Sequence, residues 1–557
     1  MKTTFKYDHY FLFEEIKKIL EYFRENYPKL FSYESICTTV KGLEVYACTI
    51  GYGDNAHKKA IYIDGNTHAG EVTGSMAAMH TLDYLVTNSD DPKICKLLTD
   101  TTFYIIPRVS PDGAEKYLSS EITSHSLRSV DRPYYEDLKG LLEQDLDGDN
   151  TIRMMRIKDP HGVFKKSEKD PLIMEKRLPD DTEGEFYNVY FEGLYKDYDG
   201  NIIYPSKSPY GRDFNRNYPY GWFAEARQPG AGEYPLSNPE TKAIVDFVLS
   251  HPNIGVVATH HTHGGFLLFP PGTRPSVSAP KQDMEFYKEI GAMAKEECDY
   301  PCVNIFDCFM EDQSNYDSGA FDDWCYQTQG ILAYTVELWD FDKLVGKTWD
   351  RTKSYTPSLE EENEVLMLRI KWLKEHYPEA IKPWTEYDHP QFGKVEIGGI
   401  GVKFTSQNPP AFLLNNEVEK MTSFTLRYAK VLPELCIENT QCTQVGDDVY
   451  KITVKVANNG YLPTNISEEA INLKVAKEVK IEGEIEIIEG KAETGIGNLG
   501  GYGQIKAMMG YSAGYESLIT VAPIKEVTWI IKAKKGSEVT IKAYQIKAGE
   551  ACAKIVL

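Results

Sequence analysis

The order of apolar and polar residues predicts strands and helices in alternation along the front two thirds of the chain. Continuously apolar runs, typical of strands buried on both faces, occur at 60–65, 101–110, 254–260 and 330–338. Amphipathic or apolar helical patterns occupy 11–26, 72–86, 239–249, 282–297 and 359–376. Strands interleaved with helices indicate an α/β domain, in which a mixed, mostly parallel sheet is flanked by helices.

Two segments of this first domain, which we place at 1–432, break the alternation. Residues 114–210 are rich in Asp, Lys, Pro and Tyr and show neither the apolar runs of buried strands nor the apolar spacing of helices. We therefore expect a long insertion that covers a site or forms an irregular excursion. Residues 385–432 combine a Pro-punctuated stretch with a helical pattern at 417–432. They predict a linker followed by a helix.

The composition changes after residue 432. Runs such as VYKITVKV, EGEIEIIEG and EVTIKAYQI alternate apolar and polar positions and are separated by Gly, Asn and Pro. This pattern predicts a second, all-β domain at 433–557, built as a sandwich. The sequence places no cluster of potentially catalytic residues there, so the chemistry is expected in the first domain.

The charge of the chain narrows the classes of partner. Its 557 residues include 83 acidic and 61 basic side chains, a formal net charge of −22, which opposes binding to nucleic acid or anionic membranes. No long apolar run, export signal or Cys-x-x-Cys pair is present, and ten cysteines are scattered along the sequence. We expect no membrane span and a cytoplasmic protein, or a secreted one if an export signal has been removed.

Residues that can bind a metal follow two of the predicted strands. His68 and Glu71 come just after the first, and the second ends in a group of three histidines, His260, His261 and His263. The carboxyl ends of parallel strands meet at one edge of a sheet, where ligands bind. Two His and one Glu leave a fourth position open, which is the arrangement of a catalytic zinc site rather than a structural one.

Two further segments offer groups that such a site needs. GRDFNRNYP contains Asp213, Asn215 and Arg216, and the apolar strand TVEL is interrupted by Glu337. A ligating imidazole is oriented by a carboxylate, which Asp213 could supply, and Arg216 can bind a carboxylate through two hydrogen bonds. An acid in an apolar strand is costly without a partner or a chemical role, and beside a metal Glu337 would be a general base.

Together these motifs resemble the zinc carboxypeptidases of the A and B type. They occur in the order HAGE at 68–71, SPDG at 110–113, DFNRN at 213–217, HTHGGFLLFPPG at 261–272, NYDSGAFDDW at 315–324 and TVEL at 335–338. The resemblance covers about 30–385. An ordered set of motifs is more specific than any one of them.

The resemblance implies one zinc ion per chain and a peptide substrate with a free C-terminal carboxylate. It also implies the roles of individual residues: His68, Glu71 and His261 as zinc ligands, Glu337 as the base that deprotonates the attacking water, Asn215 and Arg216 as the anchor of the substrate carboxylate, Tyr316 as a side chain that closes on the substrate, and Asp213 as the group that orients His68. His261 is preferred over its histidine neighbours because the following FLLFPPG matches the register of the family.

Two of the implied roles are less well fixed by the motifs. Arg156, which follows an apolar pair after the insertion begins, is our choice for stabilising the oxyanion; the competing arginines are Arg153, Arg128 and Arg132. Counting back from Trp324 places Asp322 where the family selects the substrate side chain, and an acid there favours Lys or Arg. The alternative is that Asp322 is a solvated loop acid.

A further acidic motif lies inside the insertion. Asp145, Asp147 and Asp149 have the spacing of the first three ligands of a calcium loop. The twelfth position is Arg156, where a bidentate Glu should stand. We expect a structural turn rather than calcium, with a weak calcium site as the alternative.

The favoured interpretation is therefore a zinc metallocarboxypeptidase that hydrolyses C-terminal peptide bonds and prefers basic residues. One alternative is a zinc amide hydrolase acting on N-acyl amino acids or cell-wall γ-glutamyl peptides, because the metal chemistry is the same. The other is a non-catalytic binding protein that keeps the fold. Glu337 weighs against it, because a binding protein needs no base.

Overall fold

The computed structural model describes residues 1–120, 139–206, 211–310, 312–350, 357–483, 486–509, 515–519 and 521–557, with the backbone alone at 506–509 and 515–519. The helices are α1 Phe13–Asn26, α2 Val72–Thr87, α3 Pro92–Asp100, α4 Pro111–Ser119, α5 Pro239–Ser250, α6 Lys281–Cys298, α7 Phe321–Gln329, α8 Phe341–Leu344, α9 Leu359–His376, α10 Ala411–Ala429 and α11 Glu468–Asn472.

The strands of the front part are β1 Phe31–Thr38, β2 Glu44–Ile50, β3 Lys59–Gly65, β4 Thr101–Ile106, β5 Gly140–Glu143, β6 Met154–Lys158, β7 Phe164–Lys166, β8 Met174–Lys176, β9 Phe186–Phe191, β10 Gly193–Lys196, β11 Ile254–Thr262, β12 Phe266–Phe269, β13 Cys302–Asn304, β14 Leu332–Leu338, β15 Ile381–His389 and β16 Gly393–Ile400. Those of the C-terminal part are β17 Leu435–Gly446, β18 Val449–Asn458, β19 Lys480–Gly483, β20 Glu486–Glu489, β21 Glu493–Gly495, β22 Ile505–Met509, β23 Tyr515–Ile519, β24 Ile524–Lys532, β25 Glu538–Gln545 and β26 Gly549–Val556.

The central sheet has eight strands in the order β1-β2-β4-β3-β11-β14-β12-β13. Its middle strands β4, β3, β11 and β14 run parallel, and β1, β2 and β12 add antiparallel pairings. Buried apolar residues on the two faces form separate cores, one beneath α1, α2, α6 and α10 and the other beneath α5 and α7. This is the mixed, mostly parallel sheet between helices that the alternation predicts.

Close packing brings the start of α2 onto the middle of this sheet. A Cβ added at Gly74 would lie 2.5 Å from the carbonyl oxygen of His260, and one added at Gly65 would lie 2.2 Å from that of Gly74. Only glycine allows such an approach of backbones. The first turn of α2 therefore lies directly beside the carboxyl ends of β3 and β11.

The insertion is folded rather than irregular over its described residues. Strands β6, β9, β7 and β8 join β15 and β16 in a six-stranded sheet ordered β15-β16-β6-β9-β7-β8. The expected linker thus contributes two strands, and α10 begins at Ala411 rather than near residue 417. The sequence did not predict these strands because they are short, and because the pairing of β6 with β16, which places Arg156 opposite Glu396, joins segments far apart in the chain.

The C-terminal part contains two four-stranded sheets, β17-β18-β24-β20 and β21-β19-β25-β26. Buried Ile452 and Trp529 of the first and Ile481 and Ile541 of the second belong to one core, as a sandwich requires. The C-terminal part packs on the first domain: the Ser467 hydroxyl donates to the carbonyl of Gly330, and Leu462 and Ile466 belong to the apolar core beneath α2 and α10. Among the described residues, no helix has the length and apolar character that crossing a bilayer requires.

Candidate active site

Two adjacent strand ends and one helix end bring the predicted metal ligands together. His68 follows β3, Glu71 is the residue that caps α2, and His261 lies in β11. Between β3 and His68 the chain turns through Asn66, whose φ of 65° is in the left-handed region. The Asn66 side-chain amide donates to the carbonyls of His68 and Ala69 at 2.8 and 3.0 Å, and this local bonding holds the turn.

The three side chains meet at one point. His68 Nδ1 lies 2.9 Å from Glu71 Oε1 and 3.2 Å from His261 Nδ1, and His261 Nδ1 lies 2.9 Å from Glu71 Oε2. The candidate ligand atoms all lie within 4.8 Å of one another. The structure thus brings together the residues for which the sequence predicted a shared site.

This cluster fits a divalent cation. Glu71 Oε2 is buried and has no well-aligned hydrogen bond among the described atoms, a costly state that a cation would relieve. Two imidazole nitrogens and a carboxylate form a donor set that zinc prefers, and three protein ligands leave room for a fourth.

Electrostatics within the cluster favour the charged carboxylate. Burial opposes ionisation of Glu71, but the facing His68 and His261 outweigh it and lower the pKa of Glu71 to about 2. Burial likewise opposes the charged His68, while Glu71 and Asp213 outweigh it and raise the pKa of His68 to about 10. The anionic groups therefore dominate the field at this point, which is the condition for holding a cation.

His260 lies on the opposite side of β11 from this cluster. Its side chain is fully buried, and burial lowers its pKa to about 3. It does not line the cavity that contains His261. The alternation of side chains along a strand separates the two histidines, as the register of the motif predicted.

Asp213 connects the cluster to the proposed carboxylate anchor. Its Oδ1 accepts hydrogen bonds from His68 Nε2 at 3.0 Å and from the backbone N–H of Asn215 at 3.0 Å. Because Nε2 is engaged in this way, Nδ1 of His68 is the nitrogen that points into the cluster. The bond to Asn215 begins the single turn Phe214–Arg216 and so places Arg216 beside the metal ligands.

Arg216 and Asn215 are both held in place. Asn215 Oδ1 accepts from the backbone N–H of Phe321 at 2.9 Å, and Arg216 Nη1 donates to the carbonyl of Asn215 at 3.0 Å. Burial disfavours the charged guanidinium, but nearby Asp213 and Asp317 outweigh it and raise the pKa of Arg216 further. The site therefore presents a fixed positive charge.

Glu337 lies directly opposite His261. The two residues are partners in the parallel pairing of β11 with β14. Burial and the carboxylate of Glu71 raise the pKa of Glu337 to about 8. A raised pKa is the property of a group that takes up and returns a proton near neutral pH.

One cavity of about 770 Å³ is lined by His68, Glu71, His261, Asn215, Arg216 and Glu337. Its wall also includes Asp322 and Asp323, which are buried at the start of α7. Asp322 accepts from the hydroxyl of Thr335 at 2.7 Å and from the N–H of Asp323 at 2.8 Å. Burial raises the pKa of both carboxyls, that of Asp323 to about 7. Asp322 is thus a buried cavity acid and not a solvated loop residue.

The structure leaves Tyr316 beside the cavity rather than in its wall. Its ring packs on Phe306 and Phe223, with ring centroids 6.2 and 5.7 Å away, whereas the flanking Asn315 and Asp317 line the cavity. In this conformation Tyr316 is not positioned to contact a ligand.

The structure does not bring Arg156 to the cavity, so our assignment of the oxyanion role is corrected. Arg156 lies in β6 and forms a bidentate pair with Glu396, both hydrogen bonds being 2.9 Å long. Its guanidinium also stacks 4.4 Å above the ring of Trp384. Arg153 bonds Asp149 and the carbonyl of Ala380. Arg128 and Arg132 lie outside the described residues.

The acidic motif of the insertion is neutralised by the protein itself. Asp145, Asp147 and Asp149 do lie close together. However, Lys382 Nζ bonds both Asp147 and Asp149, at 2.8 Å to the latter, and Arg153 also bonds Asp149. Lys382 and Arg153 supply positive charge where a bound ion would supply it, which supports a structural turn over a calcium site.

Among the wall residues to which the sequence analysis gave no role are Asp317 and Gln407. Asp317 Oδ2 accepts from Arg216 Nη2 at 2.6 Å, and Gln407 donates to the carbonyl and hydroxyl of Thr262 at 3.2 and 2.9 Å. The neighbouring residues indicate no role for either side chain, since Asp317 lies in a polar loop and Gln407 lies in the Pro-punctuated stretch.

An α/β sheet that gathers two histidines and a glutamate at the ends of its strands, with the partly buried acid Glu337 beside them, has the arrangement of an open, three-ligand metal site. The chain matches the family model for zinc carboxypeptidase over residues 16–346, and it belongs to that family. Residues 434–556 match a family described as a domain of unknown function.

Individual relatives are distant. The chain is similar to carboxypeptidase M of Mus musculus, with 30% identity over 116 residues, which are 20% of this chain and 25% of the relative. It is similar to carboxypeptidase B of Astacus astacus, with 31% identity over 104 residues, 18% of this chain and 32% of the relative. The matched part thus spans a quarter to a third of these relatives. The solved carboxypeptidase A of Helicoverpa armigera has 15% identity, a TM-score of 0.41 and 77% coverage of both chains.

Proposed function

We propose that the protein is a zinc-dependent carboxypeptidase, which removes the C-terminal residue of a peptide. His68, Glu71 and His261 would hold the ion, which when bound supplies a Lewis acid that polarises the scissile carbonyl and acidifies water. The observation that carries the proposal is that this ligand set, the partly buried Glu337 and Arg216 all line one cavity.

Glu337 would act as the base and then as the acid. It lies opposite His261 and its pKa is raised, so it can take a proton from the attacking water and return it to the leaving amine. A bound dication would lower the pKa of Glu337 again, because nearby positive charge favours the carboxylate. The base form would then prevail at neutral pH.

Recognition of the peptide end falls to Arg216 and Asn215. Arg216 offers a partly buried, permanently charged group that can pair with a terminal carboxylate. Because Asn215 Oδ1 is already bonded to the N–H of Phe321, its side-chain NH₂ is the part available to donate. A free carboxylate bound beside the metal ligands places the last peptide bond, and no internal one, within reach of Glu337.

The variant Glu337→Gln tests this function. The amide keeps the shape of the side chain but cannot accept the proton, so kcat should fall at least a hundredfold, the range of general-base catalysis. Bound zinc, measured on the same sample by atomic absorption, should remain near one ion per chain, and chelation should abolish wild-type turnover. Retained activity in the variant would refute the role of Glu337, and a wild type that binds zinc without turnover would favour a binding protein.

We further propose a preference for C-terminal Lys or Arg. The cavity wall contains six carboxylates, those of Glu71, Asp312, Asp317, Asp322, Asp323 and Glu337. Two of them, Asp322 and Asp323, are buried next to each other, and a cationic side chain would relieve their mutual repulsion. A cation would bind there more favourably than a phenyl ring or a carboxylate.

Benzoylated dipeptides ending in Lys, Phe and Glu measure the preference. We expect kcat/KM to be highest for Lys and lowest for Glu, and the Lys advantage over Phe to shrink at least tenfold in Asp322→Asn. Equal rates on the three peptides would remove the preference while leaving the carboxypeptidase function intact. Faster hydrolysis of N-acetyl-lysine than of the dipeptides would favour the deacylase alternative.

A further inference from the structure

Arg216, the guanidinium assigned above to the substrate carboxylate, already holds a carboxylate of the protein. Its Nη2 donates to Asp317 Oδ2 at 2.6 Å. That length is typical of a short, charge-assisted hydrogen bond. Both residues line the cavity, so Asp317 presents to Arg216 the same chemical group that a peptide C-terminus would present.

The two partners differ in how firmly they are held. The Arg216 side chain is 15% exposed and the Asp317 side chain 52% exposed. Arg216 is fixed by the carbonyl of Asn215, and the turn that contains both is fixed by Asp213. The guanidinium therefore stays in place, while the carboxylate reaches it from the solvent side.

The chain next to Asp317 is anchored, so only the side chain needs to move. The backbone N–H of Ser318 donates to Gln228 Oε1 at 2.9 Å, and its hydroxyl donates to the carbonyl of Gly221 at 2.6 Å. A rotamer change at a half-exposed Asp involves little loss of packing and returns its carboxylate to water. The contact can open without rearrangement of the loop.

We propose that Asp317 is an internal competitor for the carboxylate site, which must release Arg216 before a peptide end can pair with it, and which thereby sets the affinity for substrate. This inference rests on the function proposed for Arg216. Two carboxylates cannot both pair fully with one guanidinium, because they repel each other and compete for the same N–H donors. The free energy needed to break the pair between Arg216 and Asp317 therefore weakens peptide binding. A residue that merely oriented Arg216 would have the opposite effect, because its loss would weaken peptide binding.

Kinetics of the zinc-loaded full-length protein distinguish these cases. With a benzoylated dipeptide ending in Phe, whose side chain carries no charge, Asp317→Asn should lower KM about two- to fivefold, the range expected for a partly exposed ion pair, with kcat changed less than twofold. Asp312→Asn is the matched control. It removes one charge from the same cavity wall at a carboxylate that accepts hydrogen bonds from Ser314, and KM should fall by less than half as much.

A binding measurement separates this inference from the proposed function. The Kd of the same dipeptide is measured calorimetrically in Glu337→Gln and in Glu337→Gln/Asp317→Asn, where turnover is suppressed, and the second should bind about two- to fivefold more tightly. An unchanged or raised Kd, or an equal fall for Asp312→Asn, overturns the competitor role. Tighter binding by a protein whose wild type shows no turnover would uphold the competitor role and reject the carboxypeptidase function.

Discussion

Asp213 offers the sharpest test of how this protein holds its metal. It is fully buried, and a single oxygen, Oδ1, accepts from both His68 Nε2 and the N–H of Asn215 at 3.0 Å. Asp213→Asn keeps the volume and one oxygen acceptor but removes the charge. Asp213→Ala removes the acceptor as well, and so leaves two buried donors without a partner.

The expected loss follows from what the carboxylate does for His68. It fixes the proton on Nε2, leaves Nδ1 to bind the metal and increases the basicity of the ring. Loss of such a partner lowers metal affinity about 10- to 100-fold, or roughly 1.4–2.7 kcal/mol. We expect Asp213→Asn near the lower end, since its amide oxygen can still accept, and Asp213→Ala near the upper end.

Competition with a chromogenic chelator at fixed pH gives the Kd for zinc of each variant. Asp312→Asn is the control, because it removes a negative charge from the same cavity without contacting a ligand, and its Kd should stay within about threefold of wild type. If both Asp213 variants bound zinc as tightly as wild type, His68 would not depend on Asp213 for its orientation, and the inferred geometry would be refuted.

Two further predictions concern stability. Asp283 is fully buried, accepts from the N–H groups of Glu468 and Glu469, and has a pKa raised by burial to about 6 from 3.8. Because the folded state holds this proton more tightly than the unfolded chain, the free energy of unfolding of wild type relative to Asp283→Asn should rise by roughly 2–3 kcal/mol as pH falls from 7 to 4. Urea unfolding across that range would show it, and a constant difference would contradict it. Arg156→Met should lower stability by about 1–3 kcal/mol, because Glu396 loses its two hydrogen bonds to the guanidinium and keeps only the more distant Lys166. It should leave kcat/KM within about twofold; a hundredfold fall would restore the oxyanion role.

Much of the central domain was predictable because each strand or helix has its own characteristic spacing of apolar residues. The strand at 254–260, the helix at 72–86 and the acid Glu337 within an apolar strand are all local signals. Each reflects whether neighbouring side chains point into or out of a core, which a short stretch of sequence records directly. Ligands just after such strands could be expected to converge, since parallel strands end at one edge of the sheet.

The errors arose where contacts join distant segments. Arg156 follows an apolar pair just as an active-site arginine could, but it pairs with Glu396 across a sheet whose partner strand lies 240 positions away. For the acidic motif at Asp145 the sequence favoured a structural turn over a calcium loop, but it could not identify Lys382, also distant in sequence, as the cation that bonds Asp147 and Asp149. No local pattern records these partners, because each is chosen by packing of the whole insertion.

Periodicity and motif order are local properties, so the sequence alone was enough to predict the α/β framework, the all-β character of the C-terminal part and the residues able to bind a metal. Which groups line the cavity became clear from the three-dimensional fold: Arg156 lies away from it, Asp322 is buried beside Asp323 in its wall, and Asp317 pairs with Arg216. Burial and ion pairing depend on which surfaces pack together, and this packing involves segments that are far apart in the chain.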